Sequence, residues 1–225
     1  MILAQLYVVN MSICNSLDDA DRKYFLGVYR AAIDFYKPRI EKKTGVAFGD
    51  VAVWEYSRLR EHALRRRSPF IRALRGLLIG PRIRRDAQEL AVLSDDWAAK
   101  CSAAYYRNGV YVSFSSGTAH EEAIAAVVVH ELSHALWEKL GKRPLTWFPK
   151  TEYVEKYKLF VEGFATYAEK VWFLDLYPAS IRRAVRCEYL DPKGIHYLGL
   201  CRIESLVKQA GPEILRQIPN RWQSL

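Results

Sequence analysis

The sequence predicts an α+β domain, in which a small mixed sheet and a long helix precede a mainly helical second half. The chain has 225 residues, 50% of them hydrophobic, and is therefore long enough to bury a large core. Short strands are predicted in the first half, and the predicted helices of the second half are broken at Pro178, Pro192–Gly194 and Gly211–Pro212. We expect one domain over residues 1–225, with an N-terminal lobe at 1–141 and a helical C-terminal lobe at 142–225.

Local patterns predict the first elements. Residues 18–43 predict a helix, because aspartates occupy its first turn and apolar residues recur at helical spacing. Thr44 and Gly45 are expected to end this helix. Residues 51–56 predict a strand, and residues 1–9 predict another.

A β-hairpin is predicted around residue 108. Asn108–Gly109 is a strong two-residue turn sequence. The apolar residues at 110, 112 and 114 then alternate with Tyr111 and Ser113, as in a strand with one buried face. We therefore expect a strand over Val110–Phe114.

The most informative pattern is HELSH at residues 130–134, inside a helix predicted over residues 119–140. A helix turns once in 3.6 residues, so His130 and His134 lie on one face and can bind one metal ion. Glu131 follows the first histidine, where it can take a proton from water at the metal. The arrangement is typical of a zinc hydrolase, and the alternative is a helix whose histidines only pack.

A catalytic zinc usually has three protein ligands, so a third ligand is needed from another segment. Glu138 continues the same helical face, but it lies roughly 12 Å along the helix from the first histidine, too far for one ion. Glu162 is the best candidate, since it is predicted to lead a second helix whose small residues at 163 and 165 allow close helix packing. The alternative is that Glu162 is a solvated glutamate. In that case the next candidates for the third metal ligand are Glu169 and Asp175.

The segments HELSHALWE and, from residue 161, VEGFATYAE resemble the gluzincin zinc metallopeptidases, most closely the aminopeptidase N family and the compact minigluzincins. The resemblance covers residues 105–215 and implies a zincin-like metallopeptidase fold with Zn2+ as its cofactor. Val161 stands where the family usually has Asn, and the two motifs are further apart here. The site that the resemblance implies consists of the metal ligands His130, His134 and Glu162 and the general base Glu131.

A further segment is similar to the part of the family that stabilises the oxyanion. Ile195–Gly199, with Gly211–Leu215 downstream, is similar to the family's YxKG helix and GPEI-like turn. The similarity implies Tyr197 in that role, although the Tyr-to-Gly gap is one residue shorter and the lysine is absent. His196 is the rival, since thermolysin-like enzymes use a histidine, and either residue could instead be an aromatic that only packs.

The predicted activity is that of an endopeptidase. No GxMEN-like segment, which holds the free amino terminus of the substrate in the exopeptidases, precedes the HExxH motif. The strand Val110–Phe114 stands in its place, and a strand at this point in gluzincins pairs with extended substrate backbone. We therefore expect a zinc-dependent endopeptidase that acts on a peptide or protein substrate.

Arg58–Arg85 carries a block of positive charge. It contains ten arginines, no lysine and one acid, Glu61, so its formal charge of +9 equals that of the whole chain. Three roles are open: contact with a polyanion such as nucleic acid or an anionic membrane, a cover over the cleft, or an insertion with solvated arginines, which we favour. The first role would suit a rival function, that of a zinc-containing regulatory or binding protein.

The sequence is that expected of a cytoplasmic protein. Its apolar stretches are too short to span a bilayer, and residues 1–9 lack the basic leader and the cleavage site of a signal peptide. Its four cysteines have no metal-ligand spacing and are expected to be buried thiols: Cys14, Cys101, Cys187 and Cys201.

Overall fold

The computed structural model describes residues 18–59, 85–86, 103–114, 121–141, 145–146, 151–188 and 190–225. This part of the chain is mainly helical and contains a small mixed sheet, in agreement with the α+β expectation. No helix in it combines the length and the apolar character that a membrane span requires.

Some predictions fall on residues that the structure does not describe. They are the strand at 1–9, the environment of Cys14 and Cys101, and nearly all of Arg58–Arg85. Cys187 and Cys201 are described, and both are free and exposed. The expectation of buried thiols is therefore wrong for these two, because other residues form the buried faces of their helices.

The first helix, α1, spans Asp19–Thr44 and confirms the predicted helix. Asp18 caps its start, since the side chain accepts a hydrogen bond of 2.8 Å from the Asp21 N–H. Gly45 ends the helix with a φ of 69°, a conformation that glycine adopts without a steric penalty. The buried face is formed by Tyr29, Ile33, Tyr36, Ile40 and Thr44.

The described strands are Ala52–Glu55 (β1), Arg85–Asp86 (β2), Ala103–Tyr106 (β3), Gly109–Val112 (β4) and Leu145–Thr146 (β5). A three-stranded sheet has the order β1-β4-β3, in which β4 pairs parallel with β1 and antiparallel with β3. The short strands β2 and β5 form a separate antiparallel pair. The predicted strand at 51–56 is confirmed as β1.

The predicted hairpin forms, but its turn lies one residue earlier than expected. Arg107 and Asn108 are the two loop residues, with φ of 46° and 64°, and Gly109 is already the first residue of β4. Pairing of Gly109 with Ala52 of β1 holds it in the sheet. Asn108 can take the second left-handed position because asparagine tolerates this conformation better than most residues.

The position of β4 in the sheet corrects the expected role of Val110–Phe114. Both edges of β4 are hydrogen-bonded, one to β1 and the other to β3, so this strand has no free edge for a substrate backbone. Among the described strands, β3 pairs only with β4. The edge strands of this described sheet are therefore β1 and β3, and β3 spans Ala103–Tyr106.

The remaining helices follow the sheet and include both motif segments. The HExxH motif lies in α2, which confirms the predicted motif helix, and Glu162 lies well inside α3 rather than at its start. A π-helical turn at Ala168–Trp172 continues α3 directly. The helices are Glu121–Leu140 (α2), Thr151–Tyr167 (α3), Ala179–Cys187 (α4), Ile195–Ala210 (α5) and Ile218–Arg221 (α6).

Helices α3 and α5 cross with their backbones in contact at two glycines. A Cβ added to Gly163 would lie 2.4 Å from the backbone of Gly199, and one added to Gly199 would lie 2.4 Å from the Leu159 carbonyl oxygen. The expectation that Gly163 allows close helix packing is confirmed. Because Glu162 is next to one glycine and His196 lies one turn before the other, the crossing brings these two side chains together.

We predict that Gly163→Ala destabilises the protein. The added methyl group would overlap the Gly199 backbone, so the free energy of unfolding should fall by at least the ~1–3 kcal/mol typical of overpacking. The matched control is Gly27→Ala in α1, where a Cβ meets nothing within 4 Å. This control should gain ~0.5–1 kcal/mol from helix propensity. Thermal unfolding of the two variants measures both changes, and equal shifts in Tm would contradict the tight crossing.

Candidate metal centre

His130, His134 and Glu162 converge on one point between α2 and α3. Their ligand atoms all lie within 4.8 Å of one another. Glu162 is only 4% exposed, and His134 is also buried. The structure therefore brings together the three residues that the sequence predicts as metal ligands, and this buried group can hold a metal ion.

The distances within the group fit the coordination shell of a small metal ion. Nε2 of His130 lies 3.3 Å from Oε2 of Glu162, and Nε2 of His134 lies 3.5 Å from the same oxygen. In a tetrahedral shell with bonds of about 2.0–2.1 Å, neighbouring ligand atoms are about 3.3–3.4 Å apart. Each imidazole is thus already separated from the Glu162 carboxylate as two ligands of one ion would be.

Opposite charges compensate each other in this buried group. Burial raises the pKa of Glu162, but the surrounding imidazoles outweigh burial and hold that pKa well below its ordinary value. Burial lowers the pKa of His130, but its hydrogen bonds to Glu162 and Glu169 hold that pKa well above its ordinary value. Glu162 is therefore kept as a carboxylate, which is the form that binds metals.

Glu131 is buried beside the group and has an unused hydrogen-bonding atom. Its Oε2 has no hydrogen-bond partner within the part of the chain that the structure describes, although leaving such an atom unsatisfied is costly. Burial raises the pKa of Glu131, against the lowering effect of the His134 and His130 rings and of a hydrogen bond from the Tyr105 backbone. A buried carboxylate with a free lone pair beside three ligand side chains is the arrangement expected around a metal-activated water.

Glu169 orients His130 from behind. Its Oε2 lies 3.1 Å from Nδ1 of His130, the ring nitrogen that faces away from Glu162. Such a carboxylate fixes the tautomer and the orientation of a metal-binding histidine. Glu169 therefore lies outside the three-residue group, although the sequence suggested it as a replacement ligand. Glu169 follows Glu162 by seven residues, which is about two helical turns and places both on one face of a helix. This spacing was the sequence signal that could have predicted a position close to the metal group.

Asp175, the other replacement, is not part of the group. Its side chain is exposed and forms an ion pair with Lys43 of α1. The Lys43 ammonium is the main cause of the lowered pKa of Asp175. This acid therefore links α1 to the segment after the π-helical turn, away from the three ligand residues.

The two candidates for oxyanion stabilisation are placed differently. Nε2 of His196 lies 3.3 Å from Oε2 of Glu162, and its ring centroid is 5.6 Å from that of His130. Its side chain is 42% exposed, so it reaches both the group and the solvent. The Tyr197 side chain is exposed, and its hydroxyl interacts through a hydrogen bond with Cys201, one turn further along α5. The structure thus brings His196 to the group and places Tyr197 beside Cys201.

We predict that Glu162→Ala weakens zinc binding by about 100-fold or more while the protein stays folded, because both imidazoles remain in place. A smaller loss, of about 10–100-fold, is typical of a residue that only orients a ligand. Competition with a chromogenic chelator measures the Kd, and circular dichroism checks the fold. Asp175→Ala is the matched control and should bind zinc as the parent does. Unchanged affinity in Glu162→Ala would show that the third ligand is another residue.

Comparisons of this chain with protein-family models, with curated proteins and with solved structures find no match. The resemblance to gluzincins therefore remains a prediction from the two motifs. What the structure adds is independent of that resemblance: a buried His130, His134 and Glu162 group that can hold a metal ion.

Proposed function

We propose that this protein is a zinc-dependent peptidase. The observation that carries the proposal is the buried Glu131 carboxylate, whose Oε2 has no hydrogen-bond partner among the described residues and which interacts electrostatically with the three residues of the metal group. A site that only held a structural metal would not need a buried, unsatisfied base next to it. Peptide hydrolysis needs such a base, since a proton must leave the attacking water.

The side chains of the site divide the work of hydrolysis. The ion would be held by His130, His134 and Glu162. When bound, it would act as a Lewis acid that polarises a carbonyl and lowers the pKa of water. Glu131 would take the proton from the attacking water and return it to the leaving amine. The N–H of Tyr105, which donates to Glu131, would keep this carboxylate aimed at the reacting atoms.

His196 is our choice for the residue that stabilises the oxyanion. It is partly exposed and its Nε2 lies at the edge of the metal group, so a substrate carbonyl could approach it from the solvent side. A hydrogen-bond donor aimed at the developing negative charge lowers the barrier of acyl transfer. Tyr197, which bonds to Cys201 instead, takes no part in this proposal.

The substrate would bind as an extended peptide along the edge of β3 that pairs with no described strand, using backbone groups other than the Tyr105 N–H, while the β3 residues themselves are buried. This edge strand runs beside the base, since the Tyr105 backbone contacts Glu131. A peptide that pairs with a strand edge gains backbone hydrogen bonds whatever its side chains are. Pairing along β3 suits an endopeptidase, and it replaces the pairing along Val110–Phe114 that the sequence suggested.

We predict that Glu131→Gln keeps zinc and the fold but loses at least 10²-fold in kcat/KM, because an amide cannot accept the proton. The assay is cleavage of an internally quenched peptide library by zinc-loaded protein. Glu155→Gln, on the exposed face of α3, is the matched control and should retain full activity. If the Glu131 variant kept its rate within a few fold, the proposed mechanism would be wrong.

We predict that His196→Ala lowers kcat by about 10²–10³-fold, the usual loss when an oxyanion donor is removed. Tyr197→Phe should stay within about twofold, because its hydroxyl bonds to Cys201 rather than to the site. Zinc content is measured alongside kcat in both variants. A larger loss in Tyr197→Phe than in His196→Ala would reverse the assignment of the two residues.

A further inference from the structure

Lys170 is a buried lysine directly beside the residue that orients His130. It is only 4% exposed, although lysine is almost never fully buried unless it is paired. It lies in the π-helical turn Ala168–Trp172, next to Glu169. Neither motif segment includes it, since the second one ends at Glu169.

The Lys170 ammonium joins two carboxylates and a backbone carbonyl. Its Nζ donates to Glu188 Oε2 at 2.7 Å and to the Val185 carbonyl oxygen at 2.9 Å. Nζ also lies 3.6 Å from Glu169 Oε1. Val185 belongs to α4 and Glu188 follows it, so the lysine ties the end of α4 to the π-helical turn.

The two oxygens of Glu169 therefore face different partners. Oε1 lies toward Lys170, whereas Oε2 lies 3.1 Å from Nδ1 of His130. Nε2 of the same imidazole lies toward Glu162. A continuous path of polar contacts thus runs from the ammonium, through one carboxylate and one ring, to the metal group.

Glu169 and Lys170 are consecutive residues of the π-helical turn. On a regular helix, neighbouring side chains are separated by about 100° around the axis. The wider i→i+5 turn reduces that separation, and such turns are frequent at functional sites. Glu169 and Lys170 are both buried in this turn.

We propose that Lys170 is a positioning residue for the metal centre, which holds Glu169 against Nδ1 of His130 and so keeps Nε2 directed at the ion. The proposal rests on the metal group of the proposed function, but not on peptide hydrolysis. Without the ammonium, Glu169 would be a buried carboxylate with one oxygen uncompensated. It could then rotate, and the His130 ring would lose its fixed orientation.

The first test compares zinc affinity in Lys170→Met and Lys170→Arg, measured by chelator competition on protein that circular dichroism shows to be folded. Lys170→Met removes the charge at similar length and should raise the Kd about 10-fold or more, as expected for a partner of a metal ligand. Lys170→Arg keeps the charge and should stay within about threefold of the parent. Lys208→Met, on exposed α5 surface, is the matched control and should leave the Kd unchanged.

The second test asks whether Lys170 acts through Glu169. Once Glu169→Gln has weakened binding, adding Lys170→Met should change the Kd by less than about twofold, because the two residues belong to one path. The visible absorption spectrum of the Co2+-loaded protein reports the geometry of the ligands. This spectrum should change in Lys170→Met and should match that of the parent in Lys170→Arg. Independent, multiplicative losses or an unchanged Lys170→Met affinity would overturn the proposal.

If Lys170→Met does not fold, Glu188→Gln provides the same test from the exposed end of the path. This change removes the charge of the carboxylate that accepts from Lys170, so the Kd should rise about two- to fivefold. An unchanged Kd would overturn the proposal. The Glu162→Ala variant distinguishes a failure of the metal centre from a failure of the positioning role of Lys170. If Glu162→Ala loses zinc while folded Lys170→Met does not, the metal centre stands and the role of Lys170 fails.

Discussion

The contact between the backbones of α3 and α5 at Gly163 and Gly199 is the constraint on which the candidate site depends. A side chain larger than hydrogen at either position would push the helices apart. The contact sets the distance between Glu162 on one helix and His196 on the other, since each lies within one turn of a glycine. The same Glu162 oxygen also faces the imidazoles of α2, so this carboxylate connects the helix crossing to the metal group.

Burial of charge is the second feature that unites the site. Buried ionisable groups are tolerated in proteins when they are paired, and the acids here lie next to imidazoles or an ammonium. Glu162 lies among imidazoles, and Glu169 lies between an imidazole and an ammonium. Glu131 differs from these two acids, because one of its oxygens has no hydrogen-bond partner in the described ranges of the chain. A buried carboxylate oxygen left without a partner beside the metal group is consistent with a carboxylate kept ready for chemistry rather than for stability.

Several features could be predicted from the sequence because they depend on local physics. Helix α1 and strand β1 follow from apolar spacing and capping, and the HExxH residues share a face because of helical geometry. The hairpin was predicted, but its turn was placed one residue late. Turn position depends on strand register, and here the parallel pairing of Gly109 with Ala52, far away in sequence, sets that register.

The sequence by itself determined the identity of the candidate ligands, because two histidines four residues apart and a glutamate in a second motif form a recognisable pattern. Tertiary structure decided the rest. Strand order placed β4 in the centre of the sheet and left β3 at its edge, and helix packing brought His196 rather than Tyr197 to the group. Only the folded chain places Lys170 between α4 and Glu169. These choices depend on contacts between residues distant in sequence, which no local pattern encodes.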